Sequence, residues 1–146
     1  MKIRLLLVDD EKEFIDSLAD RLSLRDYDVA VAYGGEQGLS MALAQNYDVV
    51  ILDVFMPDKD GLTVLRALKT AKPLTEVLML SGHAEVETAI EGMKAGAYDF
   101  LLKPAQSEEL FAKIEAASNR KAAQEQRIRD AKVAQYVSSP RSALND

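Results

Sequence analysis

The chain has no cysteine, and only one histidine, among its 146 residues. The first absence excludes a disulfide framework and a thiolate metal site, and the second leaves no imidazole cluster for zinc. Long apolar runs are missing too. The opening stretch IRLLLV, Ile3 to Val8, runs straight into DDEKE. It is too short for a secretory signal, and nothing approaches the roughly 18 apolar residues of a membrane span. Basic charge is also in short supply, at 18 Lys/Arg against 24 Asp/Glu for a net −6. The deficit lies in residues 1–117, with 12 Lys/Arg against 21 Asp/Glu, whereas residues 118–146 carry 6 against 3. An acidic body argues against nucleic-acid binding. The mildly basic tail, with Tyr136 its one aromatic, reads as a solvated helix face. At 48% hydrophobic and 29% charged, the composition fits one soluble domain with a real core. A cytoplasmic location without membrane contact is the default expectation.

What is present is an alternation. Five short apolar runs, Ile3 to Val8, Tyr27 to Ala32, Asp48 to Leu52, Glu76 to Leu80 and Tyr98 to Leu102, are separated by helical patterns. Three of the runs are nearly continuous, as in strands buried on both faces. The second alternates, which predicts an edge strand. Phe14, Leu18 and Leu22 step by four, Val86, Ala89, Ile90 and Met93 by three, one and three, and Leu110, Phe111 and Ile114 repeat the pattern. Leu39 with Leu43, and Leu62, Leu65 and Leu68, mark two more helices. Strands alternating with helical crossovers imply a parallel sheet covered on both faces. Five units are too few for an eight-stranded barrel. The expected fold is therefore α/β, a doubly wound five-stranded sheet of order 2-1-3-4-5, flavodoxin-like. Such sheets gather functional groups at the carboxyl ends of their strands.

The first run ends in Asp9-Asp10, the third in Asp53, the fourth in Ser81-Gly82 and the fifth in Lys103-Pro104. A lone aspartate at a strand end is usually a cap or turn former. Asp10 would serve the first helix in that way, and Asp58 or Asp60 the third. Three carboxylates on neighbouring strands repel one another, however, and a hard divalent cation such as Mg²⁺ resolves that repulsion. With Lys103 alongside, the natural guest is a phosphoryl group, and Asp53 is free to act as the nucleophile.

LLVDDE, LDVFMPDKDG, MLSGH and KAGAYDFLLKP, in this order, resemble the receiver domain of two-component response regulators. The resemblance runs from Ile3 to Ala117, which sets residues 1–117 as the receiver and 118–146 as a helical extension or linker. It implies that Asp53 is the phosphoacceptor and that Asp9, Asp10, Asp53 and the Phe55 backbone carbonyl bind Mg²⁺. Lys103 would contact the phosphoryl group, with a cis bond to Pro104. Ser81 and Tyr98 would be switch residues, and Gly82 would leave room for the phosphoryl group. Met56, Pro57, Asp60 and Gly61 would shape the acceptor loop, and Phe55 and His83 would tune how long the phosphoryl group persists. The implied protein is a regulatory phosphoacceptor rather than an enzyme acting on other substrates. Its partner would be a sensor histidine kinase or phosphotransfer protein, with homodimerisation through the fourth helix, fifth strand and fifth helix.

Rival functions fit less well. A haloacid-dehalogenase-type phosphatase needs an acid two residues past its nucleophile, where Phe55 stands. A flavodoxin needs small hydroxyl and glycine residues after its first strand, where DDEKEF would repel phosphate. The output stays open between a stand-alone regulator and a receiver cut from a larger ATPase-bearing activator. Neither a helix-turn-helix nor an ATPase motif occurs in these residues. Nothing breaks the helical pattern from Ser107, read as an N-cap, to about Tyr136. Past Ala117 its apolar face thins, which predicts a helix that projects from the domain and needs a partner for stability.

Overall fold

The computed structural model describes residues 2–82 and 85–138. Five strands, β1 (Arg4–Val8), β2 (Asp28–Ala32), β3 (Val49–Asp53), β4 (Glu76–Ser81) and β5 (Asp99–Leu102), alternate with five helices. The helices are α1 (Lys12–Ser23), α2 (Gly35–Ala44), α3 (Gly61–Ala71), α4 (Val86–Lys94) and α5 (Ser107–Ser138). All strand pairs are parallel, and the order is β2-β1-β3-β4-β5. The continuous apolar runs form the three inner strands, and the alternating run is an edge strand, as read from the sequence.

Side chains on the two faces of the sheet build two separate cores. Leu5, Leu7, Ile51, Leu78 and Leu80 face α1 and α5 and pack with Ile15, Leu18, Leu110 and Ile114. Leu6, Val8, Val50, Leu52 and Met79 face the other way and pack with Ala42, Val64, Leu65 and Leu68. Two helices bury sets that differ from those their apolar spacing marks, α2 wholly and α4 in part. In α2, Gly35, Gly38 and Ala42 are buried, while Leu43 is exposed and Leu39 half-buried. A Cβ at Gly38 would stand 2.5 Å from Val8 Cγ1, so the helix lies too close to β1 for a side chain there. In α4, Ala89 and Gly92 are buried, whereas Ile90 and Met93 point outward.

The division expected at 117/118 falls inside α5. Arg120 and Lys121 still hold the sheet, through Glu76 and through Asp48 at 3.3 Å, and the exposed stretch begins at residue 126. Ser107 is the first helical residue, not the cap. Its hydroxyl accepts from Arg21 at 2.8 Å, and the preceding carbonyl, of Gln106, takes the first helical bond from Leu110.

Candidate functional site

The strand register brings the acidic ends together. Val8 lies opposite Leu52, Asp53 opposite Leu80, and Ser81 opposite Leu102. The residues that follow β1 and β5, Asp9 and Lys103, therefore converge on Asp53. The Lys103 ammonium lies 2.9 Å from Asp9 Oδ2 and 3.1 Å from Asp53 Oδ1. Carboxylate oxygens of Asp9, Asp10 and Asp53 all fall within 4.8 Å of one another. Asp9 is fully buried and Asp53 nearly so, while Asp10 is exposed at the rim. The Lys103–Pro104 peptide is cis.

One ammonium does not balance these acids. Burial, and then the charge of Asp9, push the Asp53 carboxyl up to about 7, against the opposing pull of Lys103. Burial also raises Asp9, although the Glu11 amide and Lys103 oppose it. Lys103 itself shows the reverse balance. Burial alone would lower its pKa, but the adjoining carboxylates of Asp9, Glu11 and Asp53 outweigh it and hold the ammonium more firmly protonated than usual. Asp9 Oδ2 is within ion-pair distance of Lys103, yet it is buried without a hydrogen bond. A buried carboxylate oxygen left in that state is costly. A hard divalent cation fits these residues. The donors are all oxygen, one of them lacks a partner, and Asp10 keeps the cluster open to water, as Mg²⁺ prefers.

The loop after the acceptor is fixed by close contacts. Gly61 N donates to Val54 O at 2.7 Å, and a Cβ on Gly61 would stand 2.3 Å from Asp53 O. No larger residue leaves the start of α3 against the end of β3. Asp60 caps α3 by accepting from Thr63 N at 2.8 Å. Asp58 caps α2 rather than α3, accepting from Gly35 N and Glu36 N, both at 3.0 Å. Those two bonds hold its carboxyl below the usual range. Met56 is buried, while Phe55 and Pro57 face solvent.

Ser81 is fully buried at the end of β4, and its hydroxyl donates to Gly82 O at 3.0 Å. Gly82 N donates to Glu85 Oε2 at 2.8 Å. Tyr98 is not where a switch beneath α4 requires it. It precedes β5, packs with the α1/α5 core and lies under the Arg120 guanidinium at 4.6 Å. The bend before the strand turns its ring to that face. Phe100 is the aromatic on the opposite face, with the core that α4 covers through Gly92 and Met79. Glu11 was not marked by the sequence. Its Oε1 accepts from Lys103 at 3.0 Å. His83 lies outside the described residues.

The chain is similar to known proteins in both sequence and fold. The cell cycle response regulator CtrA of Brucella ovis is 35% identical over 118 residues, covering 81% of this chain and 51% of that protein. The chain thus spans about half the length of the curated relatives it matches. A response regulator receiver domain protein from Clostridium thermocellum superposes with a TM-score of 0.80 at 32% identity, over 84% of this chain and 98% of that one. NtrX from Brucella abortus, solved in complex with ATP, gives 0.81 at 30% identity, over 86% of this chain and 29% of that one. The family model for the response regulator receiver domain matches residues 5–115, from β1 into α5 and through every strand end described above. The chain belongs to the response regulator receiver domain family.

Proposed function

We propose that this receiver takes a phosphoryl group onto Asp53 in a Mg²⁺-dependent reaction, and that the modified form switches the surface of α4, β5 and α5. The observation that carries the reading is Asp53 itself. It is a nearly buried carboxylate, 3.1 Å from a lysine and crowded by a second buried acid, one of whose oxygens lacks a hydrogen bond. The phosphodonor is the phosphohistidine of a sensor kinase or a phosphotransfer protein. An Asp53 carboxylate oxygen attacks phosphorus, the P–N bond breaks, and the departing imidazole nitrogen keeps its electron pair and takes a proton. Asp53 must be ionised to attack, and Lys103 neutralises charge on the incoming group. Asp9, Asp10, Asp53 and the Phe55 carbonyl would hold Mg²⁺, which would supply further charge neutralisation when bound. Phe55 has no proton to give at the position where a phosphatase carries its general acid. The acyl phosphate therefore persists, and the protein acts as a regulator rather than a turnover enzyme.

The acyl phosphate adds charge and acceptor oxygens beside Ser81. Ser81 Oγ must leave Gly82 O to donate to them, which draws the end of β4 towards the acceptor. Ile90 and Met93 on α4, Phe100 on β5 and Lys113 on α5 lie on the face that changes, where a second copy or a partner protein docks. Lys113 already joins that face, donating to Phe100 O at 2.7 Å and pairing with Asp99 at 3.1 Å. The alternative output is that of a receiver unit within a larger ATPase-bearing activator. The likeness to NtrX, of which the match covers 29%, favours that reading.

Intact mass after incubation with acetyl phosphate tests the chemistry. One phosphoryl adduct is expected with Mg²⁺, none without it, and none for Asp53→Asn. Uptake by Asp53→Asn would refute the assignment.

A further inference from the structure

Lys103 Nζ faces three carboxylates, but only one of the contacts, to Glu11 Oε1 at 3.0 Å, has hydrogen-bond geometry. The ring of Phe14 covers the same ammonium at 4.9 Å. Glu11 occupies the N-cap position of α1, yet its side chain makes no capping bond. That side chain reaches over to Lys103, 92 residues away in the chain. Its backbone is fixed in the opposite direction, since Glu11 N donates to Asp9 Oδ1 at 2.9 Å. Glu11 thus connects the acid pair to the lysine without belonging to the Asp9, Asp10 and Asp53 cluster.

The three acids around Lys103 differ in what a bound cation does to them. Asp9 and Asp53 belong to the oxygen cluster that a divalent cation would claim. Their hold on the ammonium weakens as the cation draws their charge. Glu11 is outside that cluster and 63% exposed, and it stays with Lys103. A lysine side chain loses rotamer entropy when it is fixed, and an anchor present beforehand spares that loss during reaction.

We propose that Glu11 is a positioning residue for phosphoryl transfer, holding the Lys103 ammonium over Asp53 once the metal engages the aspartates. This rests on the function proposed above. Glu11 touches neither the acceptor nor the phosphoryl group and acts only through Lys103.

The test uses the full chain, acetyl phosphate as donor, saturating Mg²⁺, and variants at Glu11 with and without Lys103→Ala. Glu11→Ala should slow phosphorylation about tenfold, the scale of a lost orienting contact. Its Mg²⁺ affinity should stay within about fivefold of wild type, as suits an exposed charge. Glu11→Gln keeps an oxygen acceptor for the lysine and should retain most of the rate. In the Lys103→Ala background, adding Glu11→Ala should change nothing further. In Mg²⁺-loaded protein, NMR of the lysine ammonium groups should show Lys103 restrained in wild type and in Glu11→Gln and mobile in Glu11→Ala, whereas in metal-free protein Asp9 and Asp53 should keep it restrained in all three. A wild-type rate for Glu11→Ala overturns the inference. So do effects that multiply in the double variant, as they would if Glu11 only supported α1. A wild-type protein that takes up no phosphoryl group overturns the function reading and this inference together. Uptake with a rate indifferent to Glu11 overturns this inference alone.

Discussion

The two ends of the sheet each bury acid, and they handle it differently. At the amino end of β4, Glu76 is 1% exposed. Both of its oxygens are bound by Arg120 of α5, through Nε and through Nη2, the latter at 2.8 Å. Lys69 of α3 adds a second cation at 3.6 Å and donates to the Pro73 and Thr75 carbonyls. The guanidinium also stacks on Tyr98. One acid thus meets two cations. At the carboxyl end, Asp9, Asp53 and Glu11 share the Lys103 ammonium with Asp10 beside them, one buried oxygen lacks a hydrogen bond, and Asp53 is pushed up to about 7. Burial of charge therefore does not mark a site by itself. The satisfied cluster is a joint that fastens α5 to the sheet, and the unsatisfied one carries excess negative charge that a bound cation would offset.

Mutations at the two ends should move stability in opposite directions. The largest change is expected at the joint. Glu76→Ala leaves Lys69 and Arg120 without their acid and should cost about 3 kcal/mol, measured by urea unfolding. Phosphoryl uptake should survive it. Asp53→Asn should instead stabilise the metal-free protein, by about 2 kcal/mol at pH 8. The sign follows from the raised pKa. The folded state holds the Asp53 proton more tightly than the unfolded chain, whose carboxyl titrates near 3.8, so the stabilising contribution is complete below that pH. It fades as the pH climbs through about 7, and the wild-type stability curve should fall over that window. The Asp53→Asn curve should be flatter, and equal stabilities at pH 8 would remove the distinction between the two ends. Arg120→Ala should give the smallest change, about 1 kcal/mol, because its guanidinium side is 44% exposed and Lys69 remains with Glu76. Its clearer effect should be faster amide exchange along α5 beyond residue 120.

Much of this was legible in the sequence because the signals were local. Continuous apolar runs gave the inner strands, and charged residues at the strand ends brought Asp9, Asp53 and Lys103 together by topology. The helix faces were harder to read. Hydrophobicity pointed to Leu39 and Leu43 in α2, but approach to Val8 selected Gly38 and Ala42, which periodicity undervalues. In α4 the same preference for small residues turned Ile90 and Met93 outward. Asp58 was offered as a cap for α3 and Glu11 escaped notice because each works on a distant segment, Asp58 on α2 and Glu11 on Lys103. Sequence spacing carries no record of such pairings. Tyr98 was misplaced by a single bend before β5, which sends its ring to the face opposite Phe100.

The central claim is that the carboxyl-end cluster is electrostatically incomplete and that a divalent cation completes it. NMR titration of the Asp53 carboxyl carbon tests this most directly. Without metal its midpoint should lie near 7, and with saturating Mg²⁺ it should fall by about 2 pH units or more, as an adjacent cation favours the ionised form. A midpoint at the ordinary carboxylate value, unchanged by Mg²⁺, would contradict the account.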